Sequence, residues 1–212
     1  MVETTRRREI EDAASSLFHE RGYSGTSVRD IARALDIQGA SLYAHVTSKQ
    51  DVLWSIVERT ASRFEAAADA ALAGADGPVP GPGSQLAALV RAHVGVITDD
   101  VRRASVFVHE WRSLSPDRRT AIGKRRDAYE WRFRTVIGDG IAVGMFAPVD
   151  PVVAAAFILT SLNGLVAWYR PDGRLKPAPL AEAMADLTLR AVLAGPDDEA
   201  AEVDAEGGHQ AV

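Results

Sequence analysis

One short stretch holds four side chains with chemistry to offer: Gln38, Tyr43, His45 and Lys49. Just inside it lie Gly39 and Ala40, small residues that let a backbone come close to a partner. An amide, a phenol, an imidazole and an ammonium group together suit a polyanion with readable edges. Gln bridges N6 and N7 of adenine in the major groove. Tyr43 and His45 lie further along, where side chains meet phosphates. Lys49 stands beside Ser48 at the start of a helix, where a cation opposes the helix dipole. Such a placement leads us to expect an anion nearby. Upstream, Thr26 and Ser27 offer a helix N-terminus to another phosphate.

These residues need two short helices and a turn to hold them. Ser27 begins the first helix, with Asp30 three positions on, the pattern of a capping box. Val28, Ile31, Ala32 and Leu35 form its apolar stripe. Asp36-Ile37-Gln38-Gly39 makes a short turn, and a second helix runs from Gly39 to Val46. The spacing is that of a helix-turn-helix, whose second helix enters the DNA major groove with its N-terminal residues towards the bases. A leading helix carries Ile10, Ala13, Ala14, Leu17 and Phe18 on one face and ends at Gly22. Ser48 and Asp51 cap a fourth helix, with its stripe at Leu53, Ile56, Val57, Thr60, Phe64, Ala67 and Ala68.

Charge gives this reading only local support. The 212-residue chain has net charge −5, but residues 196–212 hold no Lys or Arg. Without that acidic tail, which cannot bury a core and is expected to be disordered, the body is close to neutral. Any DNA-binding patch must therefore be local. The run Arg6-Arg7-Arg8 is either part of it or a solvated basic end. The chain has no Cys, which excludes disulfides, thiolate metal sites and cysteine nucleophiles. His93, His109 and Glu110 are too scattered for a metal site, and no cofactor is expected. None of the common catalytic or nucleotide-binding fingerprints is present, so an enzyme is not expected. The polar N-terminus has no secretory pattern, and a cytoplasmic protein is expected.

Beyond a Gly- and Pro-rich loop at 74–84, helical patterns continue to residue 194. Segments 85–98, 101–114, 117–144, 151–170 and 178–194 are expected as helices, with 101–114 central and buried because it is apolar nearly all round. Nothing alternates with period two between hairpin turns. The expected fold is all-α with about nine helices: a helix-turn-helix domain at 1–50, a helical ligand-binding and dimerisation domain at 51–195, and the tail. Residues 151–169 are long enough to span a membrane, but Thr160, Ser161, Asn163 and Gly164 favour a helix buried by its own domain and a partner subunit. Leu180, Met184, Leu187 and Ala191, at helical spacing, are the candidate dimer interface.

The order TSVRDIARALDIQGASLYAHVTSKQDVL, preceded by F-x-E-R-G-Y-x-G-T, resembles the N-terminal domain of the tetracycline-repressor (TetR) family. The resemblance covers residues 5–53. It implies a dimeric repressor on a pseudo-palindromic DNA operator, released by a small effector held in the C-terminal domain. It assigns Gln38, Gly39, Ala40 and Tyr43 to the major groove, and Thr26, Ser27, His45 and Lys49 mainly to phosphates. Val46 stands where the family usually has Phe, Asp36 and Gln38 where small residues are common. HEWRSL, RRDAYEWRFRTVIGDGIAVGMF and VAWYRPDG are similar to relatives linked to fatty-acid and steroid catabolism that sense acyl-CoA thioesters. A drug-responsive repressor of an efflux gene is the alternative, and a structural DNA-linked factor a third. For the effector site the candidates are polar and aromatic residues on apolar stripes: His93, Phe107, Trp111, Arg126, Tyr129, Phe133, Phe157 and Asn163. Trp131 and Trp168 are further aromatics of core or cavity border. Arg112, Arg125, Arg126 and Arg132 are candidates to clamp CoA phosphates.

Overall fold

The computed structural model describes residues 2–73 and 81–193, with side chains from residue 6. Those residues are all-helical apart from a single bridge between Phe146 and Leu193. Helix α1 (Val2–Arg21) buries Ile10, Ala14, Leu17 and Phe18. It stops at Gly22, whose positive φ of 74° turns the chain while its N–H donates to the Phe18 carbonyl at 2.9 Å. Helices α2 (Val28–Ala34) and α3 (Gly39–Tyr43) follow, then the 25-residue α4 (Lys49–Ala73). The capping box forms as the spacing requires: the Ser27 hydroxyl accepts from the Asp30 N–H, and the Asp30 carboxylate accepts from the Ser27 N–H. Asp36, in the turn, has φ of 53°, the left-handed region that Asp tolerates better than most residues. Val46 is buried, so its departure from the family pattern is a matter of packing.

The body comprises α5 (Pro82–Asp99), α6 (Val101–His109), a single 3₁₀ turn, α7 (Pro116–Ala142), α8 (Pro151–Asn163), α9 (Leu165–Trp168) and α10 (Pro177–Val192). Helices α8 and α9 are one run interrupted at Gly164, which makes nine helices among the described residues when they are counted together. The expectation that 101–114 is the central helix is corrected. That place belongs to α5, which packs on α4, α7 and α10 and buries Leu86, Leu89, Val90, His93, Val94 and Ile97. Helix α6 ends at His109 and is one-sided, with Ser105, Val106 and Phe107 inside and Arg102 and His109 outside. Arg102 and Arg103 break the apolar run that suggested burial all round. Residues 82–84, read as loop, form the first turn of α5, where Pro82 suits a helix start. The rest of that loop, 74–80, and the acidic tail lie outside the described residues.

Two devices tie the body together. The C-terminal end of α7 passes so close to the Phe146 ring that a Cβ on Gly140 would stand 2.1 Å from it. Phe146 then seals the end of α10, where the Ala147 N–H donates to the Val192 carbonyl at 2.9 Å. The second device is polar and links α1 to α4 and α6. Glu11, fully buried, accepts from the Ser55 hydroxyl at 2.6 Å and pairs with Arg59 and Arg7. Arg103 of α6 reaches Asp12 at 2.5 Å and comes within 3.9 Å of Glu11. Such a buried carboxylate holds its place only with cationic and hydroxyl partners around it.

Candidate nucleic-acid interface and effector cavity

At the helix-turn-helix, Gln38 caps α3 with its side chain free, and Gln38, Ala40, Ser41 and Tyr43 are exposed. Gly39 has nothing within 4 Å of where a Cβ would sit, so a partner backbone has room to approach. Leu42 alone in this helix turns inward and anchors it. A shallow surface groove beside α3 is lined by Arg29, Arg33, Asp36, Gln38 and Gly39. Arg33 is paired with Asp30 at 3.1 Å. Arg29 is exposed and was not singled out in the sequence, where it reads as one more polar position on an amphipathic helix.

Two expected phosphate ligands are differently occupied. Thr26 is buried, and its hydroxyl donates to the Gly22 carbonyl at 3.0 Å and lies 3.3 Å from that of Leu17. Its side chain therefore closes the end of α1 instead of facing out. The Lys49 ammonium donates to the Tyr23 and Thr26 carbonyls at 2.9 and 2.8 Å and sits 4.0 Å over the Tyr23 ring. This accounts for a cation at a helix start: it caps the chain end of α1 and needs no external anion. Ser27 remains exposed, its hydroxyl held by Asp30 at 2.5 Å. His45 is half-buried, with Nδ1 buried and unpartnered. Of the N-terminal arginines, Arg6 pairs with Glu9 at 2.6 Å, Arg7 reaches Glu11 at 3.6 Å, and Arg8 is exposed.

The second site lies in the body, where α4, α5, α6, α7 and α8 line a partly open cavity of about 200 Å³. Phe64, His93, Phe107, Tyr129 and Leu159 line it together with Arg126 and Asn163, and the Arg125, Glu65 and Glu130 side chains reach it too. The rings of Phe64, His93, Phe107 and Tyr129 pack on one another with centroids 4.7–5.8 Å apart. His93 Nδ1 meets the Tyr129 hydroxyl at 3.0 Å. Its Nε2 is buried without a partner. Burial lowers the His93 pKa to about 3; Asn163 opposes this in part and the Arg126 charge adds to it. His93 is thus a neutral hydrogen-bonding group at pH 7. Burial likewise raises the Tyr129 pKa.

Among the described residues that line the cavity, Arg126 is the cation with no carboxylate in contact. Its guanidinium lies 5.0 Å over Phe107 and 5.1 Å over Trp111, and Nη1 is buried with no hydrogen bond. Burial lowers its pKa, the neighbouring Arg112 adds to the shift, and Asp127 and Glu130 oppose it. An arginine stays charged even so. The other proposed clamps are engaged elsewhere. Arg125 forks onto Glu65 at 2.8 and 2.6 Å, and Arg132 onto Asp69 at 2.9 and 2.7 Å. Arg112 is exposed, 4.7 Å over the Trp111 ring.

Three aromatic assignments are corrected. Phe133 is fully buried behind Tyr129 and does not line the cavity. Trp111 stacks on Arg126 outside the lining. Phe157 is 63% exposed on the opposite side of α8, and Trp131 and Trp168 are also exposed. Phe64, which does line the cavity, was read only as part of an apolar stripe. Periodicity finds the inward face of a helix but not whether that face meets packing or a hole. The exposed side of α8 carries Val152, Val153 and Phe157, and α10 exposes Leu187. Leu180, by contrast, is buried within its own chain and cannot face a partner; Met184 is half-buried and Ala191 exposed. The run Pro151–Trp168 is long and apolar enough to cross a membrane by composition alone, but its inner face packs on α5 and α7.

A helix-turn-helix with an exposed reading face, joined by α4 to a helical body holding a partly unsatisfied cavity, defines a ligand-responsive DNA-binding regulator. Residues 10–56 match the family model for bacterial regulatory proteins of the tetR family. Residues 80–192 match that for the tetracyclin repressor-like C-terminal domain. The chain belongs to the TetR family of transcriptional regulators; it is a DNA-binding repressor with a ligand-binding C-terminal domain, not an enzyme. It is 28% identical to the HTH-type transcriptional repressor KstR2 of Rhodococcus jostii strain RHA1, over 87% of this chain and 89% of that one. The structure of the ketosteroid transcriptional regulator KstR2 of Mycobacterium tuberculosis superimposes with a TM-score of 0.83, at 26% identity, covering 90% of this chain and 96% of that one. AibR, solved in complex with isovaleryl coenzyme A and operator DNA, gives a TM-score of 0.75 at 28% identity, covering 86% and 97%.

Proposed function

We propose that the protein is a homodimeric repressor that leaves a pseudo-palindromic operator when an acyl-CoA thioester, from lipid or steroid breakdown, enters the α4–α8 cavity. The observation that carries this reading is Arg126. A half-buried guanidinium whose Nη1 is out of solvent, with no carboxylate in contact, disfavours a cationic drug and favours a ligand with an acceptor or an anion. The aromatic walls suit an apolar acyl group. The likeness to AibR with its bound isovaleryl coenzyme A supports the thioester class, and that to the ketosteroid regulator KstR2 supports a link to steroid breakdown.

In this reading Gln38, Gly39, Ala40 and Tyr43 meet the major groove, while Ser27 and His45 lie near phosphates. One helix as short as α3 reads few base pairs, so two copies about 34–36 Å apart are needed. The exposed apolar side of α8, with Leu187 of α10, supplies a self-complementary face for the twofold pair. Release requires that the effector prefer a conformer unable to match the operator spacing, since equal affinity for both conformers shifts nothing. Helix α4 is placed to convey this, with Lys49 gripping the DNA-reading unit at one end and Phe64 in the cavity wall further on. The test is a gel-shift release assay that compares acyl-CoA thioesters with the matching free acids, with CoA alone and with cationic drugs. Release by thioesters alone supports the reading. Release by free acids or drugs, and by no thioester, overturns it.

A further inference from the structure

The size and unsatisfied atoms of the cavity say which acyl groups it takes. Apolar cavities of about 150 Å³ hold one benzene molecule, or roughly 25 Å³ for each ring carbon. At that density the 200 Å³ of this partly open pocket holds roughly eight non-hydrogen atoms within its walls. A four-ring nucleus or a long unbranched chain needs about twice the space. The walls resist expansion: Phe64, His93, Phe107 and Tyr129 are all buried and stacked on one another, and Phe133 backs Tyr129.

The polar atoms narrow the choice. His93, 97% buried, lines the cavity and has only its Nδ1 satisfied, by Tyr129. We assign the Tyr129 hydroxyl as the donor to Nδ1, which puts the ring proton on Nε2. Nε2 and Arg126 Nη1 are then two buried donors that make no hydrogen bond among the described residues, although the Asn163 side chain is close enough to the His93 ring to oppose its pKa shift. Leaving such groups unpaired is unfavourable, and an acceptor that entered the cavity would relieve the penalty.

We propose that the cavity selects short acyl groups, branched or bearing one small ring, and that His93 Nε2 donates to an oxygen of that group beside Arg126. This rests on the acyl-CoA reading above and narrows it. A single carbonyl oxygen with two lone pairs satisfies both donors. The nucleotide part of the thioester is too large for the cavity and stays outside it.

The experiment is titration of the operator-bound protein with isovaleryl-, benzoyl-, palmitoyl- and a four-ring steroid-acyl-CoA, with CoA and the free acids as controls. Half-release by isovaleryl- or benzoyl-CoA is expected at concentrations at least about tenfold below those for the two large thioesters. Large thioesters acting equally well or better overturn the size limit and leave the acyl-CoA reading intact. No release by any thioester overturns both. The role of His93 is read from calorimetric titration of the free protein with the better small thioester. His93→Leu combined with Tyr129→Phe removes both hydrogen-bonding partners together, so no hydroxyl is left stranded. The double variant is expected to bind at least about tenfold more weakly while melting no lower than the parent. His93→Gln, which keeps a donor, is expected to recover part of the loss. Unchanged affinity in the double variant, or an equal loss in His93→Gln, overturns the donor role.

Discussion

The DNA-reading face and the effector cavity handle polar groups in opposite ways. On α3 the polar side chains stand in water, each satisfied by solvent until a partner arrives, and only Leu42 is committed to the core. In the cavity, His93 Nε2 and Arg126 Nη1 are already out of water and unpaired. The first arrangement suits many weak contacts whose sum depends on salt. The second is preorganised for one small molecule, whose polar atom relieves a penalty the free protein already carries. Lys49 shows that a cation between the two regions need not belong to either contact set: it is a strut.

The largest effect is expected at the subunit contact that doubles the weak DNA face. Leu187→Asp alters a residue 62% exposed in the protomer, so folding should survive. Sedimentation should show monomers, and operator affinity should fall by about 10²–10⁴-fold as the second half-site is lost. Unaltered dimers would move the interface off α10.

Acid probes the buried side. The His93 pKa, about 3 in the fold, lies below the ordinary 6.5. The unfolded chain therefore takes up a proton first as pH falls below about 6.5, and stability is lost between there and about 3. The full loss approaches roughly 5 kcal/mol. Replacing His93 by Leu with Tyr129→Phe should shift the midpoint of acid unfolding downward. A midpoint unchanged by the double variant would mean that His93 is not kept neutral by burial.

Two substitutions on the DNA side separate strut from reader. Lys49→Ala loses two carbonyl hydrogen bonds and should reduce stability by about 1–3 kcal/mol, leaving the salt dependence of operator binding unchanged. A slope flatter by about one phosphate contact would return Lys49 to the DNA. Gln38→Ala should leave melting unchanged and weaken binding by about 1–3 kcal/mol at particular base pairs only. An equal loss at every base-pair variant would end its role as a reader. The smallest change is expected from Asp36→Gly. It relieves the left-handed φ of 53° and should raise stability by about 1 kcal/mol or less, seen as a higher Tm.

The two regions also differed in how plainly the amino-acid order declared them. Ser27 with Asp30, the glycine at 22 and the stripe around Ile31 are local signals, and each produced the element it announced. The cavity is a long-range product. His93 and Arg126 attracted notice as polar residues on apolar stripes, but Phe133 and Phe157 carried the same aromatic signal and face the core and the solvent. Which stripe borders a void depends on how five helices pack, and no window of sequence contains that. Thr26 and Lys49 bond inward for a related reason. Their partners, the carbonyls of residues 17, 22 and 23, are brought to them by the turn after α1.

In the proposed mechanism α4 couples the cavity to the reading helices, and one distance tests that coupling. The chain has no Cys, so Ala34→Cys, at an exposed position on α2, gives one spin label per protomer. Pulsed electron resonance then measures the separation across the dimer, free and saturated with a small acyl-CoA. The account predicts a shift of more than about 2 Å on binding, away from the distance found on operator DNA. A thioester that binds and releases DNA while the distance stays at the DNA-bound value would contradict it.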